Sequence, residues 1–297
     1  MPQFLELKDK FGNSLFFGNG GDVRLAATPL IADFRKQLKD VQELYLRHDD
    51  VIITGYPKSG NHWHQQIIRM LIQNSTEYTP NTFTTDVLEY IPESFRPPAT
   101  QPRVFFSHLL FRHLPRQVTE KKVKVVYLTR NPKDTFVSMY AQLSSMSNEM
   151  GYAGTWDQFF QVMLEWGFWH GNYFDHLLDW EKEIEAHPDH PVFVSSFEDM
   201  KRDPVGQIEK LNDFLDLGRS PQLCARIASV CNIASMREKE EVQVQALRQV
   251  YDAAAPVIYR KGEIGDWKNW FTPEQNEQFD EVYRKRMSES KRTLIFE

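Results

Sequence analysis

With 297 residues, 41% of them hydrophobic and 13% aromatic, the chain can bury a sizeable core. Its 35 Lys and Arg against 41 Asp and Glu leave a net charge of −6, which excludes bulk attraction to nucleic acid or an anionic membrane. No apolar run reaches the roughly 18 residues of a membrane span, and Met1-Pro2-Gln3-Phe4-Leu5-Glu6 lacks the basic and apolar regions of a signal peptide.

The first predicted strand is Val51 to Thr54, followed by Tyr56-Pro57-Lys58-Ser59-Gly60-Asn61-His62-Trp63 and then by helical apolar spacing at Trp63, Ile67, Met70 and Leu71. A strand, a short turn with a Gly and a Lys, and a helix start form the layout of an anion cradle. Backbone N–H groups and the positive helix end face the anion, and the lysine adds a full charge. The loop is not a Walker A motif, because Lys58 precedes the only Gly and no metal-binding Ser or Thr follows in register. That disfavours a metal-dependent NTPase or a kinase.

Further strands are expected at Val104 to Ser107, Val123 to Leu128 and Val192 to Ser195, and helices at Trp63 to Ile72, Asp134 to Gln142, Trp156 to Trp180 and Pro204 to Leu215. Short apolar strands alternating with helices predict an α/β fold with a central, mostly parallel sheet flanked by helices. No linker is visible, so a single domain over 1–297 is expected. Ligands of such sheets bind at the carboxyl ends of the strands, where the sequence puts Lys58, His108 and Arg130. His108 has the titration range of a general base. His62, His64 and His113 read mainly as structural histidines, His62 offering at most its backbone to an anion.

Arg130 ends its strand, and Asn131-Pro132-Lys133-Asp134 opens a helix that carries Ser138 one turn on, a second phosphate-binding pattern. Arg260-Lys261-Gly262 ahead of Gly265-Asp266-Trp267 suggests backbone wrapped around an anion. Cys224 and Cys231 lie seven apart in one predicted helix, about 10 Å from each other and too far to bridge. Buried reduced thiols and the absence of a leader point to the cytoplasm. The sequon Asn74-Ser75-Thr76 then has no use.

Taken together, Tyr56-Pro57-Lys58-Ser59-Gly60-x-x-Trp63, Tyr127-Leu128-x-Arg130-Asn131-x-Lys133-Asp134 with Val137-Ser138, Phe197-Glu198-Asp199-Met200 and Arg260-Lys261-Gly262-x-x-Gly265-Asp266-Trp267-Lys268-Asn269 resemble the cytosolic sulfotransferase family from about residue 30 onward. The resemblance implies a P-loop-like nucleotide-binding architecture. It also implies transfer of a sulfuryl group from 3′-phosphoadenosine 5′-phosphosulfate (PAPS) to a hydroxyl or amine of a small hydrophobic acceptor such as a phenol, steroid or other alcohol. PAPS is the co-substrate and no metal is expected.

By that resemblance Lys58, Ser59, Gly60, Asn61 and His62 hold the 5′-phosphosulfate and Trp63 lies against adenine. Arg130, Ser138, Arg260, Lys261 and Gly262 hold the 3′-phosphate, with Lys58 and Ser138 also serving the reacting centre. Phe197 stands for the family's adenine-site Tyr, and Ala234, Ser235 and Met236 for its Thr-Ser-Phe. His108 is the base, and Phe106 and Ser107 line the acceptor side with it. Phe106 replaces a family Lys, Phe197 lacks the Tyr hydroxyl, Ala234 lacks a Thr hydroxyl and Met236 replaces a stacking Phe. The lid segment between Ser235 and Arg260 is several residues short. Lys268 to Glu277 is similar to a family homodimer motif, with Pro273 in place of Val and so without that N–H. These departures leave an alternative open: a non-catalytic or weakly active member that binds PAPS, its desulfated product or another small ligand.

Overall fold

The computed structural model describes residues 4–28, 30–79, 87–92, 102–146, 151–239 and 259–297. Strands β1 (Phe4–Lys8), β2 (Ser14–Asn19) and β3 (Arg24–Ala26) form an antiparallel sheet ahead of helix α1 (Phe34–Gln42). There follow β4 (Val51–Gly55), α2 (Asn61–Gln73), β5 (Val104–Ser107), α3 (Gln117–Glu120), β6 (Lys124–Thr129), α4 (Pro132–Ser144), α5 (Trp156–Glu165) and α6 (Tyr173–Ala186). The chain continues through β7 (Val192–Ser196), α7 (Phe197–Arg202), α8 (Pro204–Phe214), α9 (Pro221–Val230) and α10 (Pro273–Arg286).

The predicted parallel sheet is present, with order β5-β4-β6-β7 and every pairing parallel. Its strands alternate between two cores. Ile52, Phe105, Val125 and Tyr127 point to one with Phe136, Phe159, Phe174 and Trp180, whereas Val51, Ile53, Val126 and Leu128 point to the other with Ile67, Met70, Leu211 and Ile227. A sheet buried on both faces needs apolar residues at every position, which is why its strands read as continuous apolar runs. Because β4 has β5 on one side and β6 on the other, the strand order reverses there. The carboxyl ends of these three strands form the crevice where α/β sheets bind ligands.

Three expectations change. The predicted helix from Trp156 to Trp180 is two helices, α5 and α6, because Gly167, His170 and Gly171 have φ of 71, 63 and 84°, outside the helical range. A Cβ on Gly167 would fall 2.0 Å from the Gly171 carbonyl oxygen, so the chain can double back there only as glycine. Tertiary bonds hold the reversal: Tyr56 Oη donates to Gly171 O at 2.9 Å and the His170 N–H to Arg24 O at 2.7 Å. Second, the apolar pattern does not announce the N-terminal sheet. Its first turn is built by Asp9, whose Oδ1 accepts from the Phe11 and Asn13 N–H groups. Third, Cys231 is the C-cap of α9 rather than part of its body; both cysteines are buried and free. Pro273 is the first residue of α10, where Thr272 and Gln275 form a capping box and a missing N–H costs nothing. Most of the segment compared with the family lid, residues 240–258, lies outside the described residues.

Candidate active site

Gly55 ends β4 against Leu128, where a Cβ would lie 2.6 Å from a backbone oxygen. The next turn takes Lys58 to φ 72° and Gly60 to φ 99°, and Gly60 becomes the N-cap of α2 without any side-chain cap bond. The first N–H groups of a 13-residue helix thus end at this turn with the positive end of its dipole. Ser59 Oγ is buried there with no protein partner. A Cβ on Gly60 would approach the Phe197 ring to 3.1 Å, so glycine sets how close these walls stand.

Arg130 crosses to this cradle. Its Nη1 donates to Lys58 O at 3.0 Å and its guanidinium stacks 4.2 Å from the Phe197 ring centroid. Burial lowers the Arg130 pKa, the Asp134 and Glu198 carboxylates pull it back up, and Arg260 adds like-charge repulsion. Arg130 Nε and Arg260 Nε are both buried without a protein partner. Such guanidinium donors and an uncapped helix end are the parts an anionic group satisfies. Trp63 meets Phe197 edge-on at 5.4 Å and anchors its Nε1 on Cys231 O at 2.8 Å.

His108 follows β5. Its Nδ1 lies 2.9 Å from Gly55 O, which can only accept, so Nδ1 carries the proton and Nε2 keeps its lone pair. Asn61 Nδ2 stands 3.0 Å from the same Nδ1; two donors cannot share that contact, so with Nδ1 protonated the Asn61 amide turns its otherwise unpartnered Oδ1 toward the ring. The His108 backbone N–H donates to Glu89 at 2.7 Å, and its carbonyl accepts from His176 Nε2 at 3.1 Å. Burial, with Lys58 nearby and against the Gly55 bond, lowers its pKa to about 4, so the ring is neutral. Phe106 is packed edge-on to His62 at 5.0 Å and to His108 at 5.8 Å. Burial and the Lys58 charge take His62 to about 3.

One cavity of about 520 Å³ joins these pieces. Lys58, Gly60, Asn61, His62, Trp63, Arg130, Ser138, Phe197, Met236, Arg260, Lys261 and Gly262 line it, together with Phe106 and His108. Four expected residues do not. Ser59 is buried beneath the turn, and the Ser107 hydroxyl donates to Glu89 at 2.8 Å. Ala234 is exposed, and the Ser235 hydroxyl accepts from Asn232 at 3.0 Å, both in the helical residues 233–239 where only one face meets the cavity. Trp169 also lines it, from the aromatic-rich pair Phe168-Trp169 whose sequence fits an acceptor pocket and core packing equally well, whereas Tyr90, Gln142 and Met146 line it unannounced. They come from segments without a motif, and only the high aromatic content hints at such a wall.

The sulfotransferase domain family matches residues 48–291. Dog sulfotransferase 1B1 is 31% identical over 272 residues, covering 88% of this chain and 90% of its own. Zebrafish sulfotransferase 6B1 is 31% identical, covering 86% and 83%. Among solved structures, mouse sulfotransferase SULT7A1 complexed with PAP superposes with a TM-score of 0.70 at 28% identity over 96% of both chains. Retinol dehydratase in a complex with retinol and PAP shares the fold, with a TM-score of 0.75 at 19% identity over 98% of this chain and 92% of that one. Domain, relatives and nucleotide-binding fold agree: the chain belongs to the sulfotransferase family.

Proposed function

We propose that this sulfotransferase moves the sulfuryl group of PAPS to the hydroxyl of a small, largely apolar acceptor, with His108 as general base. PAPS supplies the activated sulfuryl group. The Lys58–Trp63 turn, which brings Lys58 and the uncapped start of α2 to the cavity, is suited to the 5′-phosphosulfate. Arg130, Ser138, Arg260, Lys261 and Gly262 form the cationic side of the cavity and are assigned to the 3′-phosphate. Trp63, Phe197 and Met236 offer the adenine flat and polarisable walls.

The observation that carries the reading is the 2.9 Å contact between His108 Nδ1 and Gly55 O. A proton on Nδ1, donated to Gly55 O, leaves a neutral Nε2 to take the acceptor's proton. Lys58 then lies on the donor side as a fixed cation for the charge that grows on the leaving nucleotide. Ala26, Leu30, Val87, Tyr90, Ile91, Phe106 and Trp169 give the cavity apolar wall, which is assigned to the acceptor. Phe106, packed between His62 and His108, supplies wall where the family motif has a cation.

Isotope-labelled PAPS with a panel of phenols, alcohols and amines tests this. Labelled product is expected from the native protein, and His108→Ala should lower its rate about 10²- to 10⁴-fold. Tight nucleotide binding with no transfer to any acceptor would leave the chain as a binding member of the family, the reading that Phe106 favours.

A further inference from the structure

The cations assigned to the 3′-phosphate come from distant parts of the chain, and two carboxylates with no assigned role connect them. Asp266, 3% exposed, accepts from Arg260 Nη2 at 2.6 Å on one oxygen. Its other oxygen accepts from Lys261 Nζ at 2.6 Å and Asn269 Nδ2 at 3.0 Å. Burial alone would raise its pKa, but these hydrogen bonds hold it at about 2, so it is ionised. The residues on either side of Asp266 are held by Asp134: the Gly265 N–H donates to Oδ2 at 2.8 Å and the Trp267 N–H to Oδ1 at 2.9 Å. Asp134 lies in the first turn of α4, the helix that follows Arg130 and carries Ser138.

We propose that Asp134 and Asp266 are positioning residues that set the spacing between the Arg130–Ser138 half and the Arg260–Lys261 half of one phosphate site, and that this spacing selects nucleotides bearing a 3′-phosphate. The inference rests on the donor assignment above. Without a counter-charge, Arg260 and Lys261 would turn away from Arg130 toward solvent. Asp266 holds them in place, and Asp134 ties Asp266 to the helix that presents the other half. Repulsion between Asp266 and a bound phosphate is the opposing effect. It is limited by donor supply: a guanidinium has five N–H donors, and Asp266 takes Nη2 while Nε is buried without a partner.

The test is calorimetric titration of the full chain with adenosine 3′,5′-bisphosphate and with adenosine 5′-monophosphate, which lacks the 3′-phosphate. Asp266→Asn is expected to weaken the bisphosphate about tenfold and to leave the monophosphate within about twofold, so that the preference collapses. Asp134→Asn is expected to act in the same direction. Equal weakening of both nucleotides would make the carboxylates merely structural, and tighter bisphosphate binding would make Asp266 a competitor; either overturns the proposal. If Asp134→Asn does not fold, Asp266→Asn decides alone. A native protein with no preference for the bisphosphate would instead overturn the donor assignment underneath.

Discussion

At the scale of single residues, the proposed chemistry depends on keeping His108 neutral. An imidazole acts as base only when unprotonated, and burial lowers the His108 pKa from 6.5 to about 4. The acid limb of kcat/KM is therefore expected well below 6.5, with little loss between pH 7 and about 5. A limb at 6.5 or above would mean that His108 titrates as a free imidazole. Lys58 and Arg130 are charges fixed just beyond the ends of β4 and β6, and the proposal gives them the role a metal has in phosphoryl transfer. Turnover is expected to survive excess EDTA; a loss restored by Mg²⁺ would contradict the assignment of Lys58.

At the scale of elements, the parallel strands are legible because burial on both faces demands unbroken apolar runs, and Lys58, His108 and Arg130 are legible because each follows such a run. Serine roles carried over by motif are less so: the motif points Ser107 toward the acceptor, but its hydroxyl is taken by Glu89, a residue in no motif. The N-terminal strands escape the apolar pattern because their burial is partial, with β1 almost wholly exposed. The break between α5 and α6 escapes it because apolar spacing continues through it. Only the φ values and the contacts of Gly171 with Tyr56 and Gly167 reveal the reversal, which also brings Trp169 to the cavity. Gly167→Ala tests this. A Cβ there combines left-handed strain with a backbone collision at 2.0 Å, and should cost about 2 kcal/mol or more. Urea unfolding checks it; a change under about 0.5 kcal/mol, that of an ordinary surface substitution, would show that the turn relaxes freely.

At the scale of the whole molecule, the fold withdraws most of its nine histidines from water. His62 and His176 are lowered to about 3, His64 and His108 to about 4, and His170 well below 6.5, in every case first by burial. Burial lowers His113 and His190 as well. Between these folded values and about 6.5 the unfolded chain binds protons that the folded chain refuses, so stability is complete above about 6.5 and is lost as pH falls toward 4. Asp134 and Glu198, raised by burial, work in the opposite sense, but they are two groups against the five imidazoles lowered furthest. Each such histidine contributes up to about 1.4 kcal/mol per pH unit. The urea midpoint is therefore expected to fall steeply between pH 7.5 and 5.5, with uptake of several protons on unfolding at the lower pH. A midpoint that stays level or rises across that interval would mean the imidazoles are charged inside the fold, and His108 could not then be the resting base.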